Sequence, residues 1–189
     1  VPLQSKVYLT LRSFEGSLGV GEWDIEIATR VPRHARHVDF SANFVLVDQV
    51  YLVAPGKTLK DIAEVDRKGV RIATTENSDA ETFLFDTIKN AQLLRVPAES
   101  EAAVRLLKSG AAEVFGDSAE FLTGISTQLP GSRFLPGRIT AIPAAIGVAR
   151  GRPSALAFVN QFLREAKTTG LIKRSIEQAH LHGVEVAPP

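Results

Sequence analysis

The sequence predicts an α/β protein of two doubly wound lobes joined by two hinge strands, and three observations carry that prediction. Short apolar runs alternate with amphipathic stretches along the chain, the pattern of strands followed by helices. From about Gly56 to Pro136 the alternation reads αβαβαβα, enough for a small domain with parallel strands. Two long extended segments, "VLVDQVYLVAPG" (Val45–Gly56) and "RITAIPAAIGVARG" (Arg138–Gly151), bracket that run. Residues 1–50 with 145–189 then form one discontinuous first lobe around an inserted second lobe, residues 51–144.

The elements follow in order. Predicted strands are Lys6–Leu11, Trp23–Thr29, Val45–Ala54, Val70–Thr75, Leu93–Pro97, Glu113–Asp117 and Ile139–Ala149. The first predicted helix, Thr58–Val65, opens on a Thr cap and continues Leu59, Ile62, Ala63 at helical spacing. Ser78–Ala91 carries Phe83, Leu84, Thr87 and Ile88 on one face. Glu99–Ser109 carries Ala102, Ala103, Leu106 and Leu107 and ends at Gly110, a favourable residue just past a helix. Ser118–Thr127 follows directly on a strand; Pro153–Ala166 places a proline in its first turn; Leu171–Ala179 closes the series and Val184–Pro189 reads as a tail.

Composition excludes several classes of function. The 189 residues are 44% hydrophobic with a net charge of +1, which opposes general polyanion binding and hence nucleic acid. No apolar run approaches the ~18 residues that a membrane span needs. Zero cysteine removes disulfides, thiolate catalysis and Cys-type zinc sites. The absence of methionine, and of a charged segment followed by an apolar one, predicts a chain already processed or trimmed. "GSLGVG" (Gly16–Gly21) has the order G-x-x-G-x-G outside a βαβ setting and is no phosphate loop. His34, His37, His180 and His182 have no carboxylate or cysteine partner at a diagnostic interval, so neither a metal nor another cofactor is expected.

Four blocks in order carry a resemblance: "GEWDIEIATRVPRHARHVDFSANFVLVDQVYLV", "GVRIATTENSDAETF", "LLKSGAAEVFGDSAEFL" and "FVNQFLREAKTTGLIKRSIEQ". Together they resemble the family 3 extracellular solute-binding proteins of ABC transporters, amino-acid-binding type, over about Lys6 to Gln178. The resemblance implies a two-lobe, type II periplasmic-binding-protein-like fold that closes about hinge strands near Val50–Val53 and Ala144–Val148. It also implies that the chain starts after the family's first strand and helix.

The same resemblance assigns candidate contacts. The position that holds the family's carboxylate-clamping arginine is His34 here, flanked by Arg33 and Arg36 and preceded by Arg30 at a strand end. Either Arg33 or Arg30 takes that role, or the ligand lacks a standard α-carboxylate, or binding is lost. Arg36 and His37 divide evenly between site and solvated turn. Thr29 closes the strand beside Arg30. Asp117 ends a strand, precedes a helix and matches the family's ammonium-pairing aspartate; a helix cap is the alternative. Asn77 and Ser78 stand at a strand-to-helix junction, where free N–H groups attract an anion and where a cap is equally at home, while Glu76 and Asp79 oppose an anion there. Asp24 and Trp23 read as structural.

The chain carries no G-x-S-x-G elbow, nucleophilic cysteine or suggestively paired carboxylates. The expectation is a non-enzymatic, monomeric binding module in the periplasm or outside the cell, delivering an amino-acid-like solute to an ABC permease. The alternatives are a cyclohexadienyl-dehydratase-like enzyme using Glu76 or His34, or a ligand-sensing domain of a receptor.

Overall fold

The computed structural model describes residues 4–8, 11–17, 20–30 and 34–188. The described elements are α1 (Leu11–Ser17), β1 (Ile25–Thr29), β2 (Val38–Phe40), β3 (Val45–Val53), β4 (Arg71–Thr75), α2 (Asp79–Thr87) and β5 (Gln92–Val96). They continue with α3 (Ser100–Lys108), β6 (Val114–Ser118), α4 (Ala119–Thr127), β7 (Arg133–Phe134), β8 (Thr140–Ala149), α5 (Pro153–Thr168), α6 (Leu171–Gln178) and β9 (Val184–Val186). Among the described residues no helix is long and apolar enough to cross a membrane.

The chain divides into two compact units. One comprises Val1–Leu46, Pro143–Gln178 and Glu185–Pro189; the other comprises Val47–Ile142 and Ala179–Val184. The main chain passes from one to the other inside β3 and inside β8, near the two segments predicted as hinges. Residues 179–184, which the sequence places in the first lobe, join the inserted unit instead. There the Asp48 N–H donates to Gly183 O at 2.7 Å, and Gly183 adopts φ +65 against Ala119.

In the inserted unit the strands run β3-β6-β4-β5, with β4 parallel to both neighbours and β3 antiparallel to β6. Side chains alternate between two buried faces, as strand geometry requires. Val50, Leu52, Ala73 and Phe115 pack with Ala103, Val104 and Leu107 of α3 and with Leu122 and Ile125 of α4. Tyr51, Val53, Ile72 and Val114 pack with Leu84 of α2. Helices therefore cover both faces, the doubly wound arrangement.

The near ends of β4 and β6 are pinned by charge. Glu113 accepts from Arg71 Nη2 at 2.6 Å, Arg71 Nε at 3.1 Å, the Arg71 amide at 2.8 Å and Lys57 Nζ at 3.0 Å. The Arg71 guanidinium is the main reason its carboxyl falls to about 2. Asp66 closes the turn after α2 by accepting the amides of Asn90 at 2.7 Å and Ala91 at 2.9 Å. With that turn fixed, α2 stops at Thr87 instead of reaching Ala91.

Two predicted elements take another form. Residues 6–8 are not in a strand and Leu11 already belongs to α1, so the Lys6–Leu11 strand is not formed over the described residues. The predicted helix Thr58–Val65 shrinks to one 3-10 turn, Ile62–Glu64, because Asp61 rather than Thr58 supplies the cap, its carboxylate accepting the Ala63 amide at 2.8 Å.

In the other unit, β1 and β2 both run antiparallel to β8. Val159, Leu163 and Ala166 form the buried stripe of α5, at the spacing of one helical face. Asn160 Oδ1 ties that helix to the segment after β2 by accepting the Ala42 amide at 2.8 Å. The faces of β1 are reversed: Ile25 and Ile27 are 48% and 69% exposed, while Glu26 is buried. Its register partner is Gly147, where a Cβ would lie 2.7 Å from Glu26 Oε1. Neither Glu26 oxygen has a hydrogen-bond partner, and burial pushes the carboxyl up to about 7.

Two predictions follow from these contacts. At residue 183 a Cβ would stand 2.3 Å from Ala119 Cβ, on a backbone that only glycine adopts without strain. Gly183→Ala is expected to cost about 2–4 kcal/mol from overpacking and strain together; urea unfolding should show a lower midpoint, and an unmoved midpoint would refute the close packing. For Glu26, the folded protein keeps the proton to about pH 7 while an unfolded chain releases it near 4.5. The unfolded state then binds fewer protons across that window, so stability falls as pH rises through it and levels off above. Glu26→Gln should abolish that fall and gain about 1–3 kcal/mol at pH 8, the range for an unsatisfied buried group. Denaturant melts at pH 5 and pH 8 check this; a variant with the parent's pH dependence would exclude Glu26 as its source.

Candidate functional site

Strand β6 carries the candidate site. Val114, Phe115, Gly116 and Asp117 are all buried, so the strand delivers a carboxylate to its C-terminal end without exposing it. Gly116 makes this fit possible, since a Cβ there would come within 2.9 Å of Leu84 Cδ1 and 3.0 Å of Tyr51 Cε1. Pairing of Val50 with Asp117 on one side and Thr74 with Gly116 on the other locks the register. Thr75 continues that register beside Asp117 on the same face, while Thr74 faces the other way.

Asp117 Oδ1 accepts the amide of Ser118 at 2.7 Å; Oδ2 is buried without a partner. The Thr75 hydroxyl beside it is also buried, and with the Thr75 amide it acts on the Asp117 carboxylate as a hydrogen-bond donor. Burial raises the Asp117 pKa, and nearby Thr75 and the Ser118 amide oppose the rise without cancelling it. Asp79, at the start of α2, adds negative potential in the same direction as burial. A buried carboxylate beside a hydroxyl oxygen is an acceptor set for a cation bearing N–H donors. The capping role goes to Ser118, whose Oγ accepts the Phe121 amide of α4 at 3.4 Å.

The junction before α2 is already occupied. Ser78 Oγ accepts the Glu81 amide at 3.0 Å, and Glu81 Oε2 reaches back to the Asn77 amide at 2.7 Å, a capping-box arrangement. The Ser78 amide donates to Thr75 O at 3.2 Å. Asn77 holds a left-handed φ of 61 and is exposed. Glu81 is buried and also pairs with Arg95 Nε at 2.5 Å, so it stands where an external anion would have to sit. Sequence reasoning passed over Glu81 and Thr75. The Ser-x-x-Glu spacing of Ser78 and Glu81 is the signal for the first, and the position of Thr75 at a strand end is the signal for the second.

In the other unit, Thr29 ends β1 opposite Ala144. Arg30 follows it with its amide donating to Pro143 O at 2.8 Å, its Nη1 3.4 Å from Asn43 Oδ1 and its guanidinium 5.9 Å from the centre of the Phe40 ring. Arg33 lies outside the described residues. The backbone of His34 begins a 3-10 turn, His34–Arg36, and its side chain is likewise outside them.

No protein-family model matches the chain and no curated protein does. Solved structures do. A binding component of an ABC transporter from Wolinella succinogenes, complexed with lysine, is 24% identical at a TM-score of 0.77, with 91% of this chain and 76% of that one covered. An ancestral amino acid-binding protein, a precursor of cyclohexadienyl dehydratase, is 20% identical at 0.73 over 91% and 75% of the two chains. The solute receptor for L-cysteine of Neisseria gonorrhoeae is 19% identical at 0.72 over 93% and 75%. The chain has the fold of these amino-acid-binding proteins, the type II periplasmic-binding-protein fold.

Proposed function

We propose that this protein is the periplasmic or extracellular solute-binding component of an ABC transporter and that it captures a small solute bearing an ammonium group. The observation that carries the reading is the free, buried Oδ2 of Asp117 at the C-terminal end of β6. Ligands of open α/β sheets collect at that end of the strands. The ammonium would sit on Asp117 with the Thr75 hydroxyl as a second acceptor. Asn77 and Ser78 shape the wall beside it, their amides being engaged already.

For an anionic group on a solute, the family resemblance offers Thr29, Arg30, Arg33 and His34. Arg30 is the strongest of these, as a strand-end guanidinium with donors to spare. The acceptor pair at Asp117 suits capture rather than turnover, and the partner would be a membrane permease that receives the loaded protein. Similarity to amino-acid-binding proteins supports the amino-acid class over other amines.

The reading predicts a thermal shift. A ligand at ~100 times its dissociation constant adds about 2.7 kcal/mol of stability. Screening the intact protein against lysine, arginine, putrescine and small carboxylates should give shifts with amine-bearing compounds, and none with any of them would overturn the proposal. Asp117→Asn should weaken the best amine by about thirtyfold or more, the loss of a desolvated charge partner. The same variant should leave the unliganded protein at least as stable, because it removes a buried orphan charge. Amine affinity in the parent should fall on acidification, starting above the ordinary carboxylate range, since the proton on the raised Asp117 competes with the ligand. Isothermal titration at several pH values measures both effects.

A further inference from the structure

A concave site lies wholly in the discontinuous unit, away from Thr29 and Arg30. It is a pocket of about 390 Å³ lined by Gly21, Trp23, Arg36, His37, Ala149, Arg150 and Arg152. That volume is within the ~300–1,000 Å³ of small-molecule sites. Its position follows from strand register. Ile25 pairs with Val148 and Val38 with Ala149, which brings the residues just before β1 and just before β2 to the C-terminal end of β8. Thr29 pairs with Ala144, so it stands about 13 Å further along, four residues at ~3.3 Å each.

The lining is cationic and has no acidic member. Arg150 donates one Nη2–H to Ala35 O at 2.7 Å, which fixes its guanidinium and leaves its other donors unused by that bond. Arg152 pairs with the exposed Asp24 at 2.5 Å through Nη1. Arg36 and His37 make no side-chain hydrogen bond or ion pair among the described residues. Arg152 is also the N-cap residue of α5, a helix of 16 residues without a side-chain cap and without an acidic residue in its first turn. The positive end of that helix adds to the guanidiniums rather than being neutralised locally. Three planar forks around one hollow match a multiply charged oxyanion better than a lone carboxylate, because each fork can address a separate oxygen edge.

We propose that this pocket binds a phosphate-type polyanion, either a phosphate ester or free pyrophosphate, independently of the Asp117 site. The test uses inorganic pyrophosphate and the intact chain, titrated calorimetrically against potassium chloride at matched ionic strength. Saturable binding is expected, weakening as salt rises because the pocket is open. Arg36→Glu, at an exposed position that holds no partner, should lower pyrophosphate affinity at least tenfold, and Arg150→Ala should lower it as well. Asp117→Asn should leave it unchanged, so loss of amine binding and loss of pyrophosphate binding report on separate claims. Heat that tracks ionic strength alone, or binding that survives Arg36→Glu undiminished, would overturn the proposal.

Discussion

A strand with no exposed residue from Val114 to Asp117 governs the inserted unit. Being paired on both edges and covered on both faces, β6 has nowhere to slip: a shift of one residue would exchange Phe115 with Gly116 between two cores. Its start is held by Glu113, whose carboxylate collects Arg71 and Lys57 together with a main-chain amide. With the near end fixed and the register locked, the position of Asp117 at the far end is no longer adjustable. The apolar flanks of the strand offset the desolvation of that one carboxylate. Strand order, helix cover and site geometry are thus one constraint expressed at three scales.

Two of the buried carboxylates among the described residues, Asp117 and Glu26, have an oxygen with neither a hydrogen bond nor an ion pair, and their settings differ. Asp117 is the next-to-last residue of its strand, keeps one oxygen on the Ser118 amide and presents the other beside the Thr75 hydroxyl. Glu26 sits inside β1 with neither oxygen paired, in space that exists because residue 147 lacks a side chain. The first arrangement leaves a buried acceptor near the C-terminal end of a sheet strand. The second leaves a proton-holding group between strands, with the two neighbouring isoleucines turned outward. Desolvation lifts both pKa values, so the shift alone does not distinguish a site from a structural anomaly; the place in the strand does.

Much of this was legible in the residues because it depends on local chemistry. Asp117 stood out as a strand-end acid, and β3 to β6 follow from apolar alternation bounded by turn residues. The fold class is legible for the same reason, since α/β alternation is a periodic signal. Features decided by distant contacts were not legible. Lys6–Leu11 has the composition of a strand, yet Leu11 opens a helix. The reversed faces of β1 cannot be seen without knowing that Gly147 lies opposite Glu26. Val184–Val186 reads as a tail, yet it forms β9, directly after Gly183 has packed against Asp48 and Ala119. The anion-attracting turn at Asn77 and Ser78 has the right local form, but Glu81 of the following helix accepts the Asn77 amide and Thr75 O accepts the Ser78 amide.

The basic run from Thr29 to His37 shows how sequence proximity misleads about shared purpose. Read as a string, its arginines and histidines form one patch. On the sheet they part, because β1 reaches Ala144 of β8 at Thr29, whereas β2 starts from Ala149 at Val38. Five residues of extended strand separate those points by about 16 Å. Arg30 therefore belongs with the strand ends, and Arg36 and His37 belong with Trp23, Arg150 and Arg152. The second group gains its charge density from residues remote in sequence, Arg150 and Arg152. A charge run is thus better divided by the strands it connects than counted as a unit, and here that division places Arg30 and the Arg36–His37 pair at different points along β8.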